Sequence, residues 1–278
     1  MRKLVATIGA YFIYALIWLF GRTHKRSDIP WLTGPLGGNI IGDRAYEEVA
    51  AAEGLAIERD AKRGGLIPSW SMLDDVPVDP KIIDFYEHTA EFAMDVWSRT
   101  YFPANLALWL LVTTISRQVN QLNFPLSPLE TSLGMGSEII LMTEPDGHVK
   151  YTGWFRTLPS EKSRAIYTGF YMPQKVPGED TPCVKVVFPM PRGNATVILR
   201  PRAVNGALEL DSGGGSFGGA GFYRVQARDA DRVRVWRIRT LKEHFRVFVD
   251  EKGALRCDHS VKFLGLPVLR LHYKMFRA

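Results

Sequence analysis

Residues 246–276 read RVFVDEKGALRCDHSVKFLGLPVLRLHYKMF, and this stretch decides the fold class. Past the Lys252-Gly253 turn, Cys257, His259, Val261 and Phe263 fall on one side of an alternating run. Arg256, Asp258, Ser260 and Lys262 fall on the other. Beyond Gly265-Leu266-Pro267 the pattern repeats, with Leu269, Leu271, Tyr273 and Met275 set against Arg270, His272 and Lys274. A period of two is the period of a β-strand, whose successive side chains point to opposite faces. Two such runs joined by a short glycine-containing turn form a hairpin.

Moving towards the N-terminus, the same alternation holds back to about Glu138. Turn signals punctuate it at Asp146-Gly147, Arg192-Gly193-Asn194, Asn205-Gly206 and Asp229–Asp231. Asn205-Gly206 is the strongest, a two-residue type I′ signal. The runs between turns predict roughly ten strands over 138–275, antiparallel because their connections are short. An up-and-down barrel or a strongly curved sandwich fits that pattern.

Upstream the chain reads as helical. Asp43 caps a helix over Arg44–Glu53, which Gly54 stops. Asp79-Pro80 opens a second helix, over Lys81–Tyr101, with Ile82, Phe85, Thr89, Phe92 and Val96 on one face. Pro103 separates it from a third, over Ala104–Leu122. The expected fold is α+β: an N-terminal apolar helix and a helical region, then a mainly antiparallel barrel-like or curved sheet. Three regions follow: a membrane anchor over 1–26, a linker and helical region over 27–137, and a β domain over 138–278.

The anchor rests on Leu4–Phe20, LVATIGAYFIYALIWLF, which carries no charge. As a helix it would run about 25 Å at ~1.5 Å per residue, against a hydrocarbon core of about 30 Å. Leu19-Phe20-Gly21-Arg22 is a poor cleavage site, so an uncleaved single anchor is expected and the protein is expected to be membrane-associated. Basic residues on both flanks leave its side of the membrane unset.

Composition narrows the function classes. With 278 residues, 46% hydrophobic and 23% charged, the chain is neither a disordered tail, a collagenous repeat nor a small disulfide scaffold. Cys183 and Cys257 allow one disulfide at most. The net charge is +6, unevenly spread. Residues 43–98 hold thirteen Asp/Glu against five Lys/Arg, a net of −8; residues 224–278 hold fourteen Lys/Arg against six Asp/Glu, a net of +8. An acidic helical layer packed on a basic sheet accounts for this. A basic sheet face meeting anionic lipid or nucleic acid is the functional counterpart. No motif points to a specific nucleic acid.

The motifs that carry chemistry are mostly absent. Gly213, Gly215 and Gly218 spell G-x-G-x-x-G, but Phe222-Tyr223-Arg224-Val225 follows as strand, where a dinucleotide site needs a helix. A hairpin loop is expected there, and no cofactor. Asp84, Glu87, His88, Glu91 and Asp95 make an acidic helical face with no matching acids on the next helix, so no metal is expected. There is no G-x-S-x-G, H-E-x-x-H, P-loop or C-x-x-C, so no reaction is named. The candidate ligand-binding residues are His259 and Tyr273, turned to the apolar side of their strands, with the aromatic group Tyr151, Trp154, Tyr167 and Tyr171. They suit a hydrophobic or amphipathic, lipid-like small molecule. An enzyme using His259, Tyr273 or His88 in proton transfer, and an interaction module using the basic face, are the alternatives.

Overall fold

The computed structural model describes residues 14–36, 44–103, 136–158 and 164–278, and of Leu158, Arg164, Ala165 and Tyr167 the backbone alone. Among the described residues, the helical stretch 14–20 and two further helices, α1 (Ala45–Glu53) and α2 (Pro80–Glu87), accompany a large antiparallel sheet. Its strands are β1 (Arg22–Lys25), β2 (Ala56–Glu58), β3 (Phe92–Thr100), β4 (Gly136–Thr143), β5 (Val149–Leu158), β6 (Arg164–Gln174) and β7 (Cys183–Met190). They continue with β8 (Gly193–Val204), β9 (Ala207–Asp211), β10 (Gly221–Ala227), β11 (Arg232–Arg237), β12 (Leu241–Val249), β13 (Leu255–Phe263) and β14 (Leu266–Arg277).

The strands run β2-β4-β5-β6-β7-β8-β9-β12-β13-β14-β3, with β10, β11 and β1 forming a branch on β8. The sheet is open, with β2 and β3 at the two ends of that path, and is not a closed barrel. The fork is made by β8. Its first half pairs with β10 through Gly193–Ile198, its second half with β9 through Arg200–Val204, and β7 lies along the opposite edge. β9 and β10 therefore follow one another along a single edge, interrupted by the glycine loop 212–220. That loop is fastened down. Arg237 donates to the carbonyls of Gly214, Gly215 and Ala220, and the Tyr223 hydroxyl donates to that of Gly219. The type I′ prediction holds at Asn205-Gly206, with φ of 51° and 76°.

The sheet buries residues on both of its faces. Its inner face packs on the segment 61–91, where Leu66, Ile67, Trp70, Leu73, Ile82 and Phe85 meet residues of β4, β5, β7, β8, β9 and β12 to β14. On the outer face α1 covers β4 to β7, with Tyr46 wholly buried against Phe155 and Phe170. Gly153 permits this approach, because a Cβ there would lie 2.5 Å from the Tyr46 ring. A strap over residues 29–36 covers the branch, placing Ile29 and Leu32 against Ile198, Tyr223, Val225 and Val233. The buried Lys185 amine donates to the Thr33 carbonyl at 2.5 Å, and the Asn194 amide to that of Pro35 at 2.9 Å. Desolvation pulls the Lys185 amine down to about 7. Cys183 on the outer face and Cys257 on the inner face are both free thiols.

Two expectations need correction here. The helix expected over Lys81–Tyr101 ends at Glu87, and Phe92–Thr100 is strand β3. Phe92 and Val96 suit a helical step of four and a strand step of two equally. The burial of Phe92, Met94, Val96 and Ser98 between accessible neighbours shows that the strand period wins, through pairing with β14. The single N-terminal membrane anchor is also overturned: among the described residues no helix is long and apolar enough to cross a membrane. Residues 14–20 are helical, and their end is docked on the protein. Ile17 is wholly buried, and Arg234 of β11 donates to the carbonyls of Ile17 and Trp18. The helix expected over Ala104–Leu122 and the remainder of Leu4–Phe20 lie outside the described residues.

Candidate functional site

The inner face of β12, β13, β14 and β3 carries a polar group within apolar surroundings. Register alone assembles it. Ser98, Leu271, His259, Phe245 and Leu210 lie in one cross-strand row spanning β3, β14, β13, β12 and β9. Glu243 stands two residues before Phe245 on the same face, because side chains alternate along β12. The His259 ring stacks on Phe245 with centroids 3.8 Å apart and planes 12° apart. Its Nε2 is 3.9 Å from the Glu243 Oε2 and is buried with no hydrogen-bond partner among the described residues. The Ser98 Oγ is likewise buried without one.

Across the interior, β5 supplies Thr152, Trp154 and Arg156 from one face. Arg156 is buried, yet it reaches the far wall. Its guanidinium lies 4.8 Å from the centre of the Trp154 ring and 5.2 Å from that of Tyr273, and donates to the Met94 Sδ at 3.0 Å. Aromatic faces attract such a cation through their quadrupoles, the more so away from water. The Trp154 indole donates to the Ser137 hydroxyl at 2.8 Å and meets the Tyr171 ring edge-on at 5.7 Å.

These surroundings set the charge states. Burial pushes the Glu243 carboxyl up to about 7, so it holds a proton below neutrality. Burial, with the Arg156 charge and then His244 adding to it, holds the His259 imidazole down to about 3, so it is neutral. The cluster thus offers a neutral imidazole, a carboxyl titrating near neutrality, a serine hydroxyl and a permanent cation between aromatic rings.

The structure brings together four of the six residues singled out from sequence. His259 and Tyr273 are diagonal neighbours on adjacent strands, since His259 pairs with Leu271 and Cys257 with Tyr273. Trp154 and Tyr171 form the facing wall. Tyr151 belongs elsewhere: three residues from Trp154, it projects from the opposite face. There it packs with α1 and donates to Glu53 at 3.0 Å. Position 167 pairs with Arg156 in register, and the Tyr167 side chain lies outside the described residues. His88 is not part of the cluster; it sits at the surface beside Asp84. Among the described residues no group of His, Cys, Asp and Glu is arranged to hold a metal. Asn194, in the Asn194-Ala195-Thr196 acceptor motif, is fully buried and so closed to glycosylation in the folded chain.

Three members of the cluster were missed from sequence: Arg156, Glu243 and Ser98. The signal for Glu243 was present: it shares strand parity with Leu241, Phe245 and Val247, a charge on an otherwise apolar face. Arg156 shares its parity with Lys150 and Thr152 as well as Trp154, so nothing in the strand pattern marks it as inward. Neither a protein-family model, nor a curated protein, nor a solved structure matches this chain.

Proposed function

We infer that this chain binds a hydrophobic or amphipathic small molecule against the inner face of its curved sheet, with His259 and Ser98 meeting the molecule's polar group. The observation that carries the reading is the pair of partnerless polar atoms, His259 Nε2 and Ser98 Oγ, in one row of an apolar wall. A buried polar group left without a hydrogen bond costs about 1–3 kcal/mol, and folded proteins keep few of them. A ligand supplying a hydrogen bond to each would remove that cost on binding. Trp154, Tyr171 and Tyr273 supply aromatic surface with polar tips, which suits the apolar part of such a molecule.

Native mass spectrometry of the full chain tests this reading. A co-purified lipid-like mass is expected on the wild type, depleted in His259→Phe and in Ser98→Ala. His259→Phe should weaken binding by about 0.5–1.5 kcal/mol, the worth of a neutral hydrogen bond. Its thermal midpoint should hold or rise, because a buried unpaired nitrogen is replaced by a ring that still stacks on Phe245. No bound mass on the wild type, or equal retention by both variants, would refute the reading.

Proton transfer on such a molecule is a second reading, favoured by the Glu243–His259 pair. Two groups 3.9 Å apart, one pushed up to about 7 and the other held neutral, resemble an acid and a base separated by their environment. Loss of turnover of the co-purified compound in Glu243→Gln, with its binding retained, would distinguish this reading from simple binding.

A further inference from the structure

The β13–β14 hairpin turns in an unusual way. Leu264 and Gly265 form its two-residue tip with φ of 52° and 83°, nearly the conformation of Asn205 and Gly206 at the β8–β9 turn, 51° and 76°. Asparagine tolerates this left-handed region because its short polar side chain bonds locally; leucine does not. The chain thus makes the same turn twice, once with the residue the conformation favours and once with an apolar residue held there at a cost. The Leu264 N–H donates to the Thr240 carbonyl at 2.8 Å, which pins the tip to the neighbouring turn.

Strain of this kind is retained where the side chain serves something outside the fold, and here the side chain points to solvent. Leu264 is 67% exposed, beside Phe263 at 46% and Leu266 at 63%. Phe102, 80% exposed, is brought to the same end of the sheet because the Tyr101 N–H donates to the Val268 carbonyl. Such a contiguous apolar group on a folded surface marks an interaction site.

The charges around this tip are arranged against the stability of the isolated chain. Lys242 stands directly opposite Lys262 across β12 and β13, and Arg270 directly opposite Arg99 across β14 and β3. Like charges in facing positions destabilise a sheet. Arg270 is paired with Asp258 at 3.2 Å, whereas Lys242, Lys262 and Arg239 have no acidic partner among the described residues. A collar of cations around an apolar tip complements a surface that is anionic outside and apolar beneath.

We propose that this hairpin end docks on an anionic phospholipid bilayer, with Phe263, Leu264, Leu266 and Phe102 entering the acyl boundary and Lys242, Lys262 and Arg239 meeting the headgroups. The docking requires no helix that crosses the bilayer, and it stands independently of the ligand reading above.

Vesicle flotation of the full chain tests it, using phosphatidylcholine vesicles with and without phosphatidylserine, at low and high salt. Binding is expected only with phosphatidylserine, and to fall as salt rises. At about 1 kcal/mol per basic residue near the surface, Lys242→Gln with Lys262→Gln should weaken it about thirty-fold. The decisive variant is Leu264→Asn. It gives the tip the residue its conformation favours, so the fold should be kept or strengthened while vesicle binding falls at least ten-fold. Every variant keeps the same N-terminus, so any contribution from that region cancels. Equal binding by wild type and Leu264→Asn would overturn the proposal, as would equal binding to both vesicle types. A tip that instead mediates self-association, with Leu264→Asn monomeric and the wild type failing to bind phosphatidylserine vesicles, would also overturn it.

Discussion

Glu243 and His259 face one another with opposite displacements, and this makes the pair visible in a stability profile. The folded Glu243 titrates near 7 against an ordinary 4.5. Between those values the folded chain keeps a proton that the unfolded chain releases, so this group's contribution to stability declines as pH rises. The folded His259 titrates near 3 against 6.5, so the unfolded chain binds the extra proton, and stability rises with pH across that interval. From about pH 4.5 to 6.5 the two slopes oppose each other. Glu243→Gln removes only the declining one. Relative to the wild type, the variant should therefore gain stability with pH across that window, by up to ~1.4 kcal/mol per unit. Urea unfolding of both chains at pH 5 and pH 6.5 measures the difference, and a difference that does not change with pH would contradict the burial of this carboxyl. His259 itself was legible in the sequence because Cys257, Val261 and Phe263 flank it at even spacing. Arg156 was not, because a guanidinium among aromatic residues reads as an outward charge until the opposite wall is known.

Individual elements show where periodicity suffices and where it fails. The hairpins of the C-terminal half are readable because their alternation and their turns agree. In β3, Phe92 and Val96 satisfy either period, and a helix directly upstream, capped by Asp79 with Pro80 at its first position, favours the wrong one. Only the edge of β14, a long way off in sequence, decides the matter. Tyr151 failed for a related reason: aromatic composition was read without strand parity. Helix α1 was legible, but its seat on β5 was not, since a glycine within a strand shows nothing of the ring above it. Gly153→Ala should drive a methyl group into the Tyr46 ring and cost about 1–3 kcal/mol, the usual penalty of an overfilled core. Chemical denaturation checks this. Tyr46→Ala in the same chain should recover part of the Gly153→Ala loss, because it empties the contested space.

For the molecule as a whole, residues 17–25 are part of the fold. β1 pairs with β11 from Arg22 to Lys25, and Ile17 is buried beside it. A chain shortened to begin at Ser27 loses both and leaves β11 as a bare edge carrying Val233 and Val235. It should unfold at a lower temperature and associate more readily, which calorimetry and light scattering would register. The charge asymmetry likewise resolves into contacts. Arg277 of the basic C-terminal region pairs with Asp84 at 2.6 Å and with Glu91, joining the acidic segment to the last strand. Such exposed pairs are screened by water and salt and contribute little, so Arg277→Gln should lower stability only slightly and should make it less sensitive to salt.

The fork at β8 has a kinetic consequence. Along Gly193–Ile198 this strand has a hydrogen-bonded neighbour on each edge, and through its second half it adjoins β9. Fraying can begin at β2, at β3 or at β1, and each end can peel back without exposing β8. Backbone amides exchange with solvent only when the unit that protects them opens. In heavy water the amides of Thr196–Leu199 should thus be among the last to take up deuterium, exchanging only in the opening that unfolds both branches together, while those of β1 and β2 exchange early.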